Sequence, residues 1–362
     1  MKYRLFIFYF FSLQLLACKK SDLPDVGPEP NLVYKLNLVQ SNGGFSPRYS
    51  GGELLFKDSL WLFGGFTPER SNEVWNSVNG VIWNQMPNAV WSPRNLMGTI
   101  EFNGKIWLMG GYASGDGSVN DIYSSLDGRT WQLETLHANW PARAAFGLIK
   151  MNNKLYVFGG LDANLAPLND VWESVDGINW TLVTSNAPWS PRGMFGTAVF
   201  GNEIYLIAGG VYNPNYVYNV EINYKDVWKS ANGLNWTQLT SSTPFSARRF
   251  LNSFVLNNRL FASSGFCLDS RIFQDTISGL LRSNLTPEQL TFYNQDRGRF
   301  YGNLNDIWSS SNGMDWQKMS LQDTFPIRHE ASVIVKNNEA YWIGGFGVDL
   351  YNDVWKLKLV VQ

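Results

Sequence analysis

RNLMGTIEFNGKIWLMGGYASGDGSVNDIYSSLDGRTW, residues 94–131, is one copy of a pattern that the chain repeats six times. Each copy begins with an arginine, and a pair of small residues follows sixteen positions later. The arginines are Arg48, Arg94, Arg143, Arg192, Arg248 and Arg328, and the pairs begin at Gly64, Gly110, Gly159, Ala208, Ser264 and Gly344. A period of about fifty residues indicates a solenoid, a propeller or another array of similar units.

Two turn signals divide each copy into four strands. In residues 94–131 the first signal is Asn103-Gly104 and the second is Asp127-Gly128. Both dipeptides favour tight hairpin turns because their backbones tolerate a positive φ. Each copy is therefore a four-stranded meander whose apolar faces can be buried only against neighbouring copies. We expect an all-β fold, a six-bladed β-propeller with four strands per blade.

The two ends of the chain supply complementary parts of one blade. The sixth copy stops soon after Trp355 without a fourth strand, while residues 32–39 precede the first arginine with no adjacent strand of their own. Leu36 lies twelve residues before Arg48, at the offset where later copies carry a tryptophan. We therefore expect the N-terminal strand to close blade six, which covers an otherwise exposed strand edge.

The pattern resembles the Kelch repeat. The resemblance rests on the apolar run before each small pair, on later spaced aromatic residues such as Trp172 and Trp180, and on the period, and it covers residues 32–362. Kelch-type propellers include the central domain of galactose oxidase, the periplasmic sialic-acid mutarotases and many binding domains, so the resemblance implies a fold and not one function. Ala208 and Ser264 replace glycine in blades four and five, where we expect some distortion.

The first residues are typical of an exported lipoprotein. Lys2 and Arg4 precede an apolar run that ends in LLAC at Cys18. The run is too short for a stable membrane span and resembles a bacterial lipobox. It predicts a lipoprotein signal peptide over residues 1–18 with lipidation at Cys18, followed by a Pro- and acid-rich tether over residues 19–31. The chain is then anchored by lipid alone in the bacterial outer membrane, facing the periplasm or the cell surface; an ordinary secretory signal is the alternative.

The composition argues against several classes of function. The net charge is −1 and no basic cluster stands out, so we expect no nucleic-acid partner. Two histidines, His137 and His329, and no zinc-type spacing are present, so we expect no metal and no other cofactor. A copper centre like that of galactose oxidase needs two histidines, a tyrosine and a Tyr–Cys cross-link, and the repeat phases of the two histidines do not favour it. With Cys18 lipidated, no intrachain disulfide is expected.

The six arginines allow two interpretations. Each follows an aromatic residue by three positions: Phe45, Trp91, Trp140, Trp189, Phe245 and Phe325. An aromatic ring beside an arginine can stack on a sugar acid and clamp it. A residue that recurs in every blade is more often structural, because it hydrogen-bonds the neighbouring blade, and this interpretation is favoured. Trp91, Trp140 and Trp189 are kept as candidate ligand contacts.

Residues that depart from the repeat are better candidates for a binding site. The interval from the small pair to the next aromatic residue is 11 to 13 residues in four blades, but 20 in blade four and 44 in blade five. The longer interval predicts an insertion at about 267–304, on the face that carries the arginine segments. The candidate ligand contacts are Arg249, His329, Glu330, Arg297, Arg299, Tyr216 and Tyr218, and the candidate acids and bases are Glu288, Glu330 and Asp296.

Two functions remain open. The favoured one is a monomeric, lipid-anchored, non-catalytic binding module that takes a glycan or an envelope protein on its loop face. The alternative is a carbohydrate-active enzyme resembling the sialic-acid mutarotases, with Glu288, Glu330 or Asp296 as acid and base and an arginine for a substrate carboxylate. A tight axial pocket with a carboxylate and an arginine in hydrogen-bond reach favours the enzyme. A broad apolar rim favours a module that binds protein.

Overall fold

The computed structural model describes residues 32–211, 222–267 and 302–361. Within these ranges the chain forms six antiparallel sheets arranged as the blades of a β-propeller, as the repeat predicts; each has four main strands, and one short additional strand joins the second blade. The first strand of each blade lines the central axis and contacts the first strands of the two neighbouring blades. The described ranges contain no helix that is long and apolar enough to cross a membrane.

The strands follow the six copies of the repeat, except that the first strand along the chain, β1 (Leu32–Gln40), belongs to the last blade. Blade one contains β2 (Gly52–Phe56), β3 (Ser59–Phe63), β4 (Val74–Ser77) and β5 (Asn84–Gln85). Blade two contains β6 (Arg94–Asn95), β7 (Gly98–Phe102), β8 (Lys105–Ala113), β9 (Gly117–Ser125) and β10 (Gln132–Thr135). Blade three contains β11 (Gly147–Met151), β12 (Lys154–Phe158), β13 (Val171–Ser174) and β14 (Thr181–Thr184).

The second half of the ring repeats this order. Blade four contains β15 (Gly196–Phe200), β16 (Glu203–Ile207), β19 (Val227–Ser230) and β20 (Trp236–Thr240), with the short pair β17 (Gly210–Val211) and β18 (Ile222–Asn223) beside it. Blade five contains β21 (Asn252–Leu256), β22 (Arg259–Ser263), β23 (Ile307–Ser310) and β24 (Gln317–Lys318). Blade six contains β25 (Ser332–Lys336), β26 (Glu339–Phe346) and β27 (Leu350–Val361), and β1 completes it.

The closing strand confirms the prediction made from the chain ends. Strand β1 pairs antiparallel with β27, from Leu32 opposite Val361 to Gln40 opposite Val354. Leu36 lies opposite Leu357, and both side chains are buried in the core between blades five and six. The N-terminal strand therefore completes blade six, and backbone hydrogen bonds and apolar contacts hold it there.

Both hairpin turns form as the sequence predicts. Asn103 and Gly104 take positive φ angles of 51° and 72° between the first two strands of blade two. In the turn between its third and fourth strands, the Asp127 carboxylate accepts two backbone N–H groups and the Ser125 hydroxyl accepts that of Gly128. A Cβ on Gly128 would lie 2.2 Å from the Trp61 ring of blade one, so this turn also packs one blade against the next.

The small pairs keep the same backbone where glycine is replaced. Ala208 and Ser264 have φ angles of 56° and 59°, close to the 52° of Gly64. The distortion expected at these two positions is therefore not found, and blades four and five keep four strands each. An L-residue in this left-handed region costs roughly 1–2 kcal/mol, which the surrounding hydrogen bonds must offset.

The strand directions define two faces of the propeller. The loop face carries the segments that enter each first strand and the loops between second and third strands. The opposite face, here called the hairpin face, carries the turns between strands one and two and between strands three and four. Arg249, His329 and Glu330 immediately precede first strands, so they belong to the loop face.

Candidate functional site

The side chain of each of the six repeat arginines joins two loops of its own blade. Arg143 is representative: its Nη1 donates to the Gly159 carbonyl at 2.9 Å, and its guanidinium bonds both carboxylate oxygens of Asp170 at 2.8 and 2.7 Å. All six arginines are at most 3% exposed and make the same pair of contacts, with a glutamate in blade one. Contacts within the protein therefore occupy the guanidinium groups of all six arginines, which supports the structural interpretation.

The bonds between blades differ in one detail from the expectation. The arginine side chain bonds its own blade, and the backbone carbonyl of the arginine is the group that accepts from the neighbouring blade. The Gly111 N–H of blade two, for example, donates to the Arg143 carbonyl of blade three at 2.9 Å. The same bond recurs at every interface, so the arginines leave no guanidinium directed at a ligand.

The aromatic residues that precede the arginines are core residues. Trp91, Trp140 and Trp189 are at most 1% exposed. Each meets a second tryptophan edge to face, with ring centroids 6.0 Å apart for Trp91 and Trp131. This burial gives the three residues no surface for a ligand, and we therefore place the candidate site elsewhere.

The loop face breaks the sixfold symmetry at one pair of positions. The residue after each arginine forms a β-bridge with the residue after each small pair, and we call these residues rim pairs. The rim pairs are Tyr49–Phe66, Asn95–Tyr112, Ala144–Leu161, Gly193–Gly210, Arg249–Phe266 and His329–Phe346. Blades three and four carry small or aliphatic pairs, whereas blades five, six and one carry large aromatic or basic ones.

His329 lies at the centre of the large rim pairs. Four aromatic rings surround its imidazole, with centroids 5.4 to 6.1 Å away, from Tyr49, Phe250, Phe266 and Phe346. Arg249 lies against two of the same rings, 5.4 Å from Phe250 and 5.0 Å from Phe266. The structure thus brings together Arg249 and His329, which the sequence analysis selected from two separate copies of the repeat.

Hydrogen bonds fix the orientation of the His329 ring. Its Nδ1 lies 2.5 Å from the Asn303 Oδ1, and the Asn303 amide nitrogen donates to the Gly347 carbonyl. Because an amide oxygen only accepts, Nδ1 carries a proton and Nε2 faces the Glu330 carboxylate at 3.4 Å. The Asn303 amide thus turns the Nε2 edge of the ring toward Glu330.

A closed ring of backbone hydrogen bonds surrounds the axis at the second residue after each repeat arginine. Its six members are Ser50, Leu96, Ala145, Met194, Phe250 and Glu330, whose φ angles lie between 52° and 58°. The N–H of each donates to the carbonyl of the equivalent residue in the preceding blade, over 2.7 to 3.3 Å. The left-handed backbone recurs in every blade, so it belongs to the architecture, and only the side chains differ around the ring.

An axial pocket of about 190 Å³ opens at this ring. One side of it is apolar and includes Met97, Phe146 and Phe195. The other side carries Glu53 and Glu330 together with Asn252. The polar side comes from blades five, six and one, next to the large rim pairs. We call the combined surface the polar sector, and its residues are Tyr49, Glu53, Arg249, Asn252, Asn303, His329, Glu330 and Ser332.

Glu53 is the carboxylate of the polar sector with a shifted pKa. Burial raises the pKa of Glu53 to about 7, and hydrogen bonds from the Val333 N–H and the Ser332 hydroxyl only partly offset that effect. Glu330 lines the same pocket. Glu53 can therefore gain or lose a proton near neutral pH, unlike a solvated glutamate.

We expect the Glu53 carboxyl to make stability depend on pH. The folded state binds the proton more tightly than the unfolded chain, so the free energy of unfolding falls as pH rises from about 4.5 to about 7, by up to about 3 kcal/mol. Glu53→Gln should remove this component, so the variant gains stability relative to the parent between pH 5 and pH 8 in urea unfolding. Glu69→Gln, an exposed control, should follow the parent. Parallel curves for Glu53→Gln and the parent would contradict the shifted pKa.

Several predicted residues lie outside the described ranges. They are Cys18, Tyr216, Tyr218, Glu288, Asp296, Arg297 and Arg299, together with the signal peptide and tether over 1–31 and residues 268–301 of the expected insertion. The described part of the chain contains no group of three or more His, Cys, Asp and Glu that could hold a metal ion.

Sequence reasoning missed Glu53, Asn252 and Asn303. The repeat itself carried a signal for the first two. Five residues after the arginine, Glu53 is the charged exception among Thr99, Leu148, Thr197, Ser253 and Val333. Four residues after it, Asn252 and Ser332 replace the glycine of the other four blades. Asn303 follows a segment without repeat phase, and only the fold brings it to His329.

The comparisons with known proteins support the fold alone. No family model matches the chain, and no curated protein matches it in sequence. Among solved structures, 365 chains match, a breadth expected of a fold that serves many functions. One of them, described as the structure of YjhT, has a TM-score of 0.66 at 16% identity and covers 89% of this chain and 99% of its own. At that identity the likeness shows a shared propeller fold.

Proposed function

We propose that this chain is a lipid-anchored Kelch-type propeller of the cell envelope that binds the end of a glycan in the polar sector without altering it. The observation that carries the proposal is the position of the residues that break the repeat. Asn252, Glu330 and Glu53 come from three adjacent blades and line one pocket. Arg249 and His329 belong to the rim pairs of two of these blades. The equivalent positions are small or apolar in blades three and four and carry Asn95 and Tyr112 in blade two, so the charged side chains at these positions belong to blades five, six and one.

The chemistry of the sector suits a sugar. A sugar ring presents hydroxyl groups at its edge and C–H groups on its faces. Half-buried rings, including Tyr49, Phe266 and Phe346, offer flat apolar surface, while Glu330 and Asn252 offer polar atoms at the pocket. The volume of about 190 Å³ is below the roughly 300–1,000 Å³ of drug-sized sites, which favours one terminal sugar unit over a larger ligand.

A melting-temperature screen tests the proposal. The full chain is heated with neutral sugars, uronic and sialic acids, and glycan fragments at millimolar concentration. A ligand that binds only the folded state stabilises it by RT ln(1 + [L]/Kd), about 2.7 kcal/mol at a hundredfold excess over Kd. We expect at least one sugar to raise Tm for the parent and for Asp116→Asn, an exposed loop-face control, and not for Glu330→Gln. The absence of any shift across the panel would contradict glycan binding and leave an envelope protein as the ligand to seek.

One observation favours the second candidate, a sugar mutarotase. Two carboxyl groups, those of Glu330 and Glu53, line one pocket, and they are the acid and base that this candidate function would use. In mutarotation a base takes the proton of the anomeric hydroxyl while an acid protonates the ring oxygen as its bond to the anomeric carbon breaks. Closure of the aldehyde or ketone on its other face then restores both protons.

Polarimetry separates the two functions. If the chain is an enzyme, it accelerates the equilibration of a sugar that it binds, and Glu330→Gln or Glu53→Gln slows the reaction by about 10²–10⁴-fold. If it is a binding module, the rate with a bound sugar equals the uncatalysed rate at the same pH.

A further inference from the structure

The hairpin face carries an apolar residue at the tip of each turn between strands three and four. These residues, one in each of blades one to five, are Val78, Leu126, Val175, Leu234 and Met314, and they are 48% to 64% exposed. Blade one adds Ile82, which is 67% exposed. Val78, Leu126 and Val175 precede the Asn-Gly or Asp-Gly dipeptide of the turn, whereas Leu234 and Met314 follow it. Five turns that each expose an apolar side chain on one face are unlike the isolated exposed leucines of an ordinary soluble surface.

The turns hold these side chains outward. In blade two, Asp127 and Ser125 bond the backbone of the turn, and Gly128 packs against Trp61 of blade one with no room for a side chain. The Lys57 ammonium donates to the Leu126 carbonyl at 3.0 Å, which ties the tip to blade one and leaves a cation beside it. The tip is thus anchored by its backbone while its leucine stays in solvent.

Blade six contributes the ends of two strands to the same face. Lys358 lies opposite Glu339, close to the turn between β25 and β26, and β27 continues to Val361. Leu32 pairs with Val361, and the two residues are 52% and 67% exposed. The described chain therefore begins on the hairpin face, at a position where the face is apolar.

We propose that the hairpin face docks on the lipid bilayer that anchors the chain, so that the polar sector on the loop face points away from the membrane. The inference rests on the lipid anchor of the proposed function. Thirteen residues, 19–31, separate Cys18 from Leu32 and span at most about 45 Å. Because that segment joins the propeller at the hairpin face, the ring of apolar tips is the surface held nearest the bilayer.

The chemistry of the tips fits a bilayer surface. Val, Leu, Ile and Met side chains can enter the boundary between headgroups and acyl chains, and cations such as Lys57 favour anionic headgroups. The lipid anchor makes insertion of the tips an intramolecular event, so that weak individual contacts suffice.

Fluorescence quenching tests the orientation. The full lipidated chain, with Cys267→Ser, carries an environment-sensitive dye at Val175→Cys on the hairpin face or at Val348→Cys on the loop face. It is reconstituted in vesicles of phosphatidylethanolamine and phosphatidylglycerol that contain nitroxide-labelled lipid. We expect the dye at position 175 to be quenched at least threefold more than the dye at position 348. Equal quenching, or stronger quenching at position 348, overturns the proposal.

A variant that replaces apolar tip residues with serine tests whether these side chains cause the orientation. Val78→Ser, Leu126→Ser and Val175→Ser together should reduce by at least half the quenching of a dye at Leu234→Cys. Val90→Ser, Leu136→Ser and Val348→Ser, which remove equally exposed apolar groups elsewhere, should leave it unchanged. Both triple variants should melt near the parent temperature because all six side chains are exposed. Unchanged quenching in the tip variant, or a dimer formed through these tips in solution, contradicts docking on lipid.

The outcomes also separate this inference from the proposed function. A chain that does not float with the vesicles contradicts both the anchor and the docking. Glycan binding is measured by Tm without vesicles, so it can succeed or fail independently of the orientation.

Discussion

Replacing Arg143 with alanine is expected to lower the free energy of unfolding by about 3–5 kcal/mol. The substitution removes bonds to the Gly159 carbonyl and to both Asp170 oxygens, and it leaves the Asp170 carboxylate largely buried with the Trp172 indole as its remaining donor among the described contacts. Urea unfolding followed by tryptophan fluorescence measures the change.

Arg129→Ala provides the control for charge and size. Arg129 has the same side chain but is exposed at a turn of blade two. We therefore expect its replacement to change the free energy of unfolding by no more than about 0.5 kcal/mol. A small effect at Arg143, comparable with that at Arg129, would show that the arginine side chains do not stabilise their own blades. It would reopen the interpretation of the arginine column as an anion site.

Leu36→Asp should destabilise the propeller by more than about 4 kcal/mol, because it places an unpaired carboxylate where the closing strand packs against blades five and six. Leu36 is 1% exposed and lies opposite Leu357. Thermal unfolding in the calorimeter should show a large fall in Tm, and limited proteolysis should cut the chain near its N-terminal strand.

Leu38→Asp is the matched control in the same strand. Leu38 lies two residues further along β1 and is 48% exposed, so the same substitution should change stability by no more than about 0.5 kcal/mol. Equal effects at Leu36 and Leu38 would mean that β1 contributes through its backbone alone. No effect at either position would contradict closure of the ring by β1.

The fold was predictable because the sequence repeats the pattern of one blade six times. A single Asn103-Gly104 turn is a local signal, but its recurrence in phase with the arginines leaves few other architectures. The closing strand followed from two complementary gaps near Leu36 and Trp355. The repeated residues were also the least informative about function, since burial in the core accounts for Trp140 and the blade contacts account for Arg143.

The candidate site was only partly predictable. Arg249, His329 and Glu330 stood out because blades three and four have small or apolar residues there, and they do lie together. Glu53 could have been found by the same column comparison, since a carboxylate is out of place among threonine, leucine and valine. Its raised pKa could not, because that shift depends on burial at an axis that forms only when blades six and one meet.

In the proposed function the asymmetric polar sector binds the ligand. Isothermal titration of the sugar that gives the largest Tm shift tests this most directly, with two alanine variants at the same repeat position in different blades. His329→Ala gives blade six the residue that blade three carries at Ala144, and Asn95→Ala makes the same kind of change in blade two, outside the sector. We predict that Kd rises at least tenfold for His329→Ala and less than twofold for Asn95→Ala. Equal affinities for the parent and His329→Ala, with Asn95→Ala weakened, would contradict the assignment of the site.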